Sequence, residues 1–151
     1  MAANETMYHY TDCGLRNVWL ANGFSRRKTP YGPGVAIEGL PALHRAIGLW
    51  LVGKPRRLTG AEIRFLRKEL DLSQKALAAI VGQSEQTVSL WERRGRIPRT
   101  ADRFIRALYR ETAEGNAHIR DLVARLALKD ARDPEARATF AMKARRWKMA
   151  A

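Results

Sequence analysis

Cysteine appears once among the 151 residues, as Cys13, so no intrachain disulfide can form and the chain suits a reducing compartment. Long apolar runs are also missing. The most apolar stretch, Ile47 to Val52, is far shorter than the ~20 residues needed to span a bilayer. Met1 to Met7 lacks the basic stretch and apolar run of a secretory leader, and the expected location is the cytosol, on the nucleoid. His9, His44 and His118 are the only histidines, and none has a serine–acid pair or cysteine set around it. There is no glycine-rich phosphate loop and no paired-carboxylate motif, so neither an enzyme nor a bound cofactor is expected. Acidic residues are scarce: 15 Asp+Glu stand against 28 Lys+Arg, a formal net charge of +13. Such an excess calls for a polyanionic partner, nucleic acid first and an anionic membrane surface second. Apolar residues nevertheless make up 46% of the chain, enough for a packed core.

Glycine and proline divide the sequence. Residues 1–58 hold four of the six prolines and short β-prone stretches, Met7–Tyr10, Val18–Leu20 and Val35–Ile37. These lie between turn signals at Asn22-Gly23 and Tyr31-Gly32-Pro33-Gly34. After Pro41 a helix is expected over Ala42 to Val52, with Leu43, Ile47 and Trp50 on one face. Tyr8, Tyr10, Trp19 and Phe24 form a candidate core or partner surface, and Lys54-Pro55-Arg56-Arg57 reads as a linker. The basic excess is spread through the chain, with 8 basic against 3 acidic residues in 1–58, 11 against 7 in 59–111, and 9 against 5 in 112–151.

The central part carries the strongest local signals. Thr59-Gly60-Ala61-Glu62 has the form of a capping box, and Ile63, Leu66 and Leu70 follow at helical spacing. Ser73 caps a second short helix, Gln74 to Val81, whose buried face is Leu77, Ala78 and Val81. Gly82 fits the left-handed end of that helix. Ser84 then caps a third helix, Glu85 to Glu92, with Val88 and Trp91 inward. Two short helices about a tight glycine turn make a helix-turn-helix from roughly Leu72 to Glu92, and Ala78 is small enough to let the helices approach.

A single α-helix fits the major groove, and the second helix of the unit is placed to enter it. Its outward residues are the expected base contacts. Gln86 can pair bidentately with adenine, Glu85 can accept from a cytosine amino group, Ser89 can bond several base edges, and Leu90 can touch a thymine methyl. Expected backbone contacts are Gln74 and Lys75 at the start of the first helix, Ser84 and Thr87 at the start of the second, and Arg93, Arg94, Arg96 and Arg99 beyond it.

The run Leu72-Ser-Gln-Lys-Ala-Leu-Ala-Ala-Ile-Val-Gly82, followed by Ser84-Glu-Gln-Thr-Val-Ser-Leu-Trp-Glu92, resembles the Cro/lambda-repressor-like family of transcriptional regulators, also called the xenobiotic-response-element family. Gln74, Leu77, Ala78, Gly82, Val88, Trp91 and Glu92 fall in register over about residues 60–110. The resemblance implies a five-helix domain in which Pro98–Glu111 closes the core through Ile105 and Leu108. It also implies that Gln74 and Gln86 contact bases or phosphates and that Thr87 contacts the backbone, while Leu90 departs from the polar residue common at its position.

The expected architecture is therefore mainly α: a five-helix lambda-repressor-like domain at 59–111, a small α/β unit at 1–58, and a C-terminal helical extension with a basic tail at 112–151. Ile119, Leu122, Val123 and Leu126 form an amphipathic stripe that either packs on the same domain or makes a dimer surface. Asp133-Pro134-Glu135 signals a further helix start, and the run to Ala151 reads as a phosphate-gripping helix or a frayed end. Cys13-Gly14 matches the end of the Cys-x-x-Cys-Gly zinc knuckle that precedes the helix-turn-helix in some antitoxins, but Tyr10 stands where the other cysteine would. His9, Cys13 and His44 are too few for a structural zinc, and no metal is expected. The leading functional expectation is a homodimeric repressor on a palindromic operator of its own or a neighbouring operon, which the family resemblance implies is a phage, mobile-element or toxin–antitoxin one. The alternative is an antitoxin whose N-terminal unit binds a protein toxin. Membrane binding is not expected, and the lack of an aromatic sheet motif weighs against an RNA-binding module.

Overall fold

In the computed structural model, residues 6–116, 118–129 and 137–150 are described, and side chains within 126–129 are left aside. The chain opens with two small antiparallel ladders. β1 (Tyr8–His9) pairs with β2 (Trp19–Leu20), and β3 (Phe24–Thr29) with β4 (Gly32–Ile37). β3 was not expected, because Arg26-Arg27-Lys28 breaks any apolar alternation. Its strand is mostly exposed, and Arg26 lies 5.9 Å from both the Tyr8 and the Phe24 ring. The expected turn at Tyr31-Gly32-Pro33-Gly34 is also corrected. Only Tyr31 belongs to the turn, while Pro33 sits in β4 opposite Lys28, as an edge strand permits.

α1 (Leu40–Gly53) takes Pro41 in its first turn, where the missing amide hydrogen costs nothing. Ile47, Gly48, Leu51 and Val52 are buried, but Trp50 is 46% exposed, with Lys54 Nζ 5.0 Å from its ring centre. The buried face is thus rotated away from the expected stripe. Gly48 explains why: with no side chain there, Tyr109 packs directly against the helix.

α2 (Gly60–Glu69), α3 (Gln74–Val81), α4 (Glu85–Arg94) and α5 (Arg99–Ala113) follow, each within two residues of its expected bounds. α1 packs on α5 and α2, so Tyr10, Leu15, Leu51, Leu66, Val88 and Ile105 belong to one continuous core. The expected linker is strapped down. Arg106 of α5 donates to the Val52, Lys54 and Arg56 carbonyls, and buried Asp102 accepts from the Leu58 amide at 2.8 Å and pairs with Arg106 at 3.1 Å.

α6 (His118–Lys129) lies on α5 and α3, with Val123 half-buried and Ile119 and Leu122 exposed. Leu126 stands in the same helix, its side chain outside those described. Asp133, Pro134 and Glu135 lie outside the described residues. Beyond them the expected helix or frayed end is replaced by a hairpin, β5 (Phe140–Lys143) paired with β6 (Arg146–Met149). Alternation decides it. Phe140, Met142, Trp147 and Met149 share one face of the ladder, and Lys143, Arg146 and Lys148 the other.

Glycine to alanine in a helix interior ordinarily stabilises by about 1 kcal/mol. At Gly48 a Cβ would overlap the Tyr109 ring and its hydroxyl. Gly48→Ala is therefore expected to reverse the sign and destabilise by about 1–3 kcal/mol, read as a lower melting temperature.

Candidate nucleic-acid interface

Side-chain caps set the starts of α2, α3 and α4. The Thr59 hydroxyl accepts from the Glu62 amide at 3.3 Å, and the Glu62 carboxylate accepts in turn from the Thr59 amide at 2.9 Å. Ser73 Oγ accepts from the Ala76 amide at 3.0 Å, and Ser84 Oγ from the Thr87 amide at 3.2 Å. Each bond satisfies a helix-end donor that would otherwise be left to water. Between α3 and α4, Gly82 adopts φ +70°, and the Gln83 amide closes on Ala78 O at 2.9 Å. Leu77, Ala78, Val88 and Trp91 are buried, which fixes the crossing of α3 against α4.

A buried ionic cluster then ties α4 to its neighbours. The Glu92 side chain is 0% exposed. It accepts from Arg67 Nε of α2 at 2.5 Å and from Gln74 Nε2 of α3, while Arg67 also donates to Leu72 O at 2.9 Å. Arg64 Nε stands 3.9 Å away, at the edge of the cluster. Among the described residues, no buried side-chain nitrogen or oxygen lacks a partner. The sequence shows Glu92 in register with Val88 on the inward face, but its partners lie 18 and 25 residues away and cannot be read from local spacing.

With α4 held in this way, Glu85, Gln86 and Leu90 stand exposed on its outer side, and Ser89 is half-buried beside them. Lys75, Ser84, Arg93, Arg94, Arg96 and Arg99 are also exposed. Ser84 and Thr87 share a hydroxyl bond at 2.9 Å inside the cap. Gln74 is half-buried and its side-chain amine is committed to Glu92.

The three residues weighed as metal ligands have other partners. His9 Nε2 donates to Arg16 O at 2.5 Å, and Cys13 Sγ faces Tyr10 O at 3.8 Å. His44 bridges Tyr10 Oη and Glu69 Oε1, each at 2.7 Å, and burial is the main cause pushing the Tyr10 phenol above its ordinary value. Among the described residues no three His, Cys, Asp or Glu side chains gather into a metal-holding group, and no helix is long and apolar enough to cross a membrane.

A capped helix pair about a left-handed glycine, with one helix presenting polar side chains above a basic rim, defines a helix-turn-helix DNA-binding domain. Residues 63–102 match the family model described as helix-turn-helix, covering most of α2, all of α3 and α4, and the first turn of α5. The match supports a Cro/lambda-repressor-like helix-turn-helix in this segment, a kind of domain that binds DNA in transcription regulation. No curated protein and no solved structure matches the chain.

Removing one partner of a buried ion pair typically costs about 3–5 kcal/mol. Arg67→Met is expected to lower the urea midpoint accordingly. Combining Arg67→Met with Glu92→Met should recover part of the loss, since the double variant leaves no buried charge unpaired.

Proposed function

We propose that the protein is a sequence-specific transcriptional repressor that binds DNA as a pair of copies, reading a short inverted repeat in the promoter of its own or a neighbouring operon. The observation that carries this reading is the outer side of α4. Glu85, Gln86 and Leu90 are exposed, with Ser89 beside them, on a helix whose orientation Glu92 fixes from within. These four residues contact base edges: Gln86 an adenine, Glu85 a cytosine amino group, Ser89 a further edge and Leu90 a thymine methyl. Lys75, Arg93, Arg94, Arg96 and Arg99 grip phosphates. Ser84, Thr87 and Gln74 contribute at the helix starts, Gln74 through its backbone amide because its side-chain amide turns inward to Glu92.

Pairing places two copies of α4 about one turn of DNA apart, ~34 Å, which is what an inverted repeat presents. The surface proposed for it is the edge of α6, where Ile119 and Leu122 are exposed beside half-buried Val123, and the sequence spacing adds Leu126. No metal or cofactor enters this function, and the protein acts in the cytosol on the nucleoid.

A second reading has its own support. Trp19 is 53% and Trp50 46% exposed, and they line an apolar cleft with Val18, Leu20, Leu43 and Ile47. A face of this kind suits a protein partner, as in an antitoxin that holds a toxin through its N-terminal unit and represses through α4. Co-expression with a small toxin encoded next to it, with and without Trp19→Ala and Trp50→Ala, decides this reading. A complex that forms only when both tryptophans are present supports it, and free toxin in both samples rejects it.

The repressor reading is tested by selecting bound genomic fragments at physiological salt and aligning them; an inverted repeat is expected. On that site Gln86→Ala should cost about 1–3 kcal/mol and relax one base position. Arg94→Ala should weaken all sequences alike and reduce the salt slope by about one. Wild-type behaviour in both variants would remove α4 from the groove. For pairing, light scattering should show a dimer that Leu122→Asp converts to a monomer with an unchanged circular dichroism spectrum.

A further inference from the structure

We infer that the DNA interface extends into the N-terminal unit: a groove beside the end of α4, walled by Arg16, Arg57, Arg93, Arg94 and Arg96, seats the sugar–phosphate backbone that flanks the base pairs α4 reads. The inference rests on the DNA-reading role proposed for α4.

The groove, about 800 Å³, lies between residues 14–17, the 54–57 turn, the first turn of α2 and residues 93–96. The carboxylates on its walls, Glu62 and Glu92, are both occupied. Glu62 is held by Lys54 Nζ at 2.7 Å and the Thr59 amide at 2.9 Å, and Glu92 by Arg67 and Gln74. Lys54 is neutralised in the same exchange. The ion pairs found among the described residues involve none of the five arginines. Arg57 gives one donor to Ile97 O at 3.2 Å and Arg93 one to Ser89 O at 3.4 Å, which leaves most of each five-donor fork for a ligand. Guanidinium forks match phosphate oxygens bidentately, and a concave surface of one sign concentrates a polyanion.

Arg16 is held in place by its loop. Leu15 on one side and Val18 two residues on are buried in the core. The Gly14 amide donates to Thr11 O at 2.9 Å, and the Tyr10 amide to Val18 O at 2.9 Å. His9 Nε2 fixes the Arg16 carbonyl at 2.5 Å, and the His9 ring is itself stacked on Trp19 at 4.1 Å. A cation presented by an ordered loop gives up little entropy when it meets its anion. Arg16 and Arg57 both lie outside the segment matched by the family model, so the groove joins that segment to the rest of the chain at one surface.

The test is fluorescence anisotropy with the full chain, on a duplex carrying the selected site and on a scrambled duplex, over a range of salt concentrations. Arg16→Ala and Arg57→Ala should each weaken both duplexes by the same factor and reduce the salt slope by about one, and the double variant by about two. Arg16→Lys should keep most of the slope. Arg16→Ala should also melt like the wild type, because its side chain is exposed. Wild-type slopes in Arg16→Ala, with specific binding intact, would overturn the groove assignment while leaving α4 as the reader. Loss in Arg16→Ala of binding to the selected site alone would overturn the backbone assignment in favour of base contact. A wild-type protein that binds neither duplex would overturn the DNA-reading role and the groove with it.

Discussion

Glu92 is a carboxylate with no access to water, and the geometry of the reading helix depends on how its charge is satisfied. Burying an ionised carboxylate is costly unless a cation and further donors meet it. Here the cation comes from α2 and a further donor from α3, so the bonds that settle the charge also fix α4 against both neighbours. Apolar contacts through Leu77, Ala78, Val88 and Trp91 supply burial, but they are non-directional and would tolerate some sliding. The bonds from Arg67 and Gln74 to the two carboxylate oxygens are directional. They convert a packed helix into one presented at a defined angle, which any base-reading helix requires.

A second polar device does for the α1–α5 side what Glu92 does for the helix-turn-helix. Arg106 collects carbonyls from Val52, Lys54 and Arg56, and Asp102 neutralises it while accepting from the Leu58 amide. The chain between α1 and α2 is thereby held along α5, and the close approach of Tyr109 to Gly48 completes the contact. The N-terminal unit is consequently a wall of the central core, not an appendage on a tether. This is also why Arg16 and Arg57 can share a surface with the far end of α4.

What could be read from the sequence was what acts over one or two helical turns. Thr59, Ser73 and Ser84 announce helix starts, Gly82 announces a turn, and the spacing of Leu77, Val88 and Trp91 gives the inward faces. The family match over 63–102 agrees with that part. What was missed acts at longer range or against local pattern. The partners of Glu92 come from two other helices, and Arg16 comes to line the same groove as Arg93 only after the whole domain has folded. The linker reading of Lys54-Pro55-Arg56-Arg57 followed its composition and could not foresee Arg106. β3 is concealed by three consecutive cations. The β5–β6 hairpin shows alternation on both strands, but its turn residues, Ala144 and Arg145, take φ values of +50° and +61° that usually call for Asn or Gly.

The four tryptophans are divided unequally between interior and solvent. Trp91 alone is buried, while Trp19, Trp50 and Trp147 are each close to half exposed or more. The folded protein's intrinsic fluorescence therefore draws on three partly exposed indoles and one buried one. Unfolding changes the surroundings of Trp91 most, while Trp19 loses its stack on His9 and Trp50 its contact with Lys54. The same imbalance makes light a sensitive gauge of contact. Anything that covers the Trp19–Trp50 cleft or the Trp147 face of the hairpin dries an exposed indole and moves the emission to the blue.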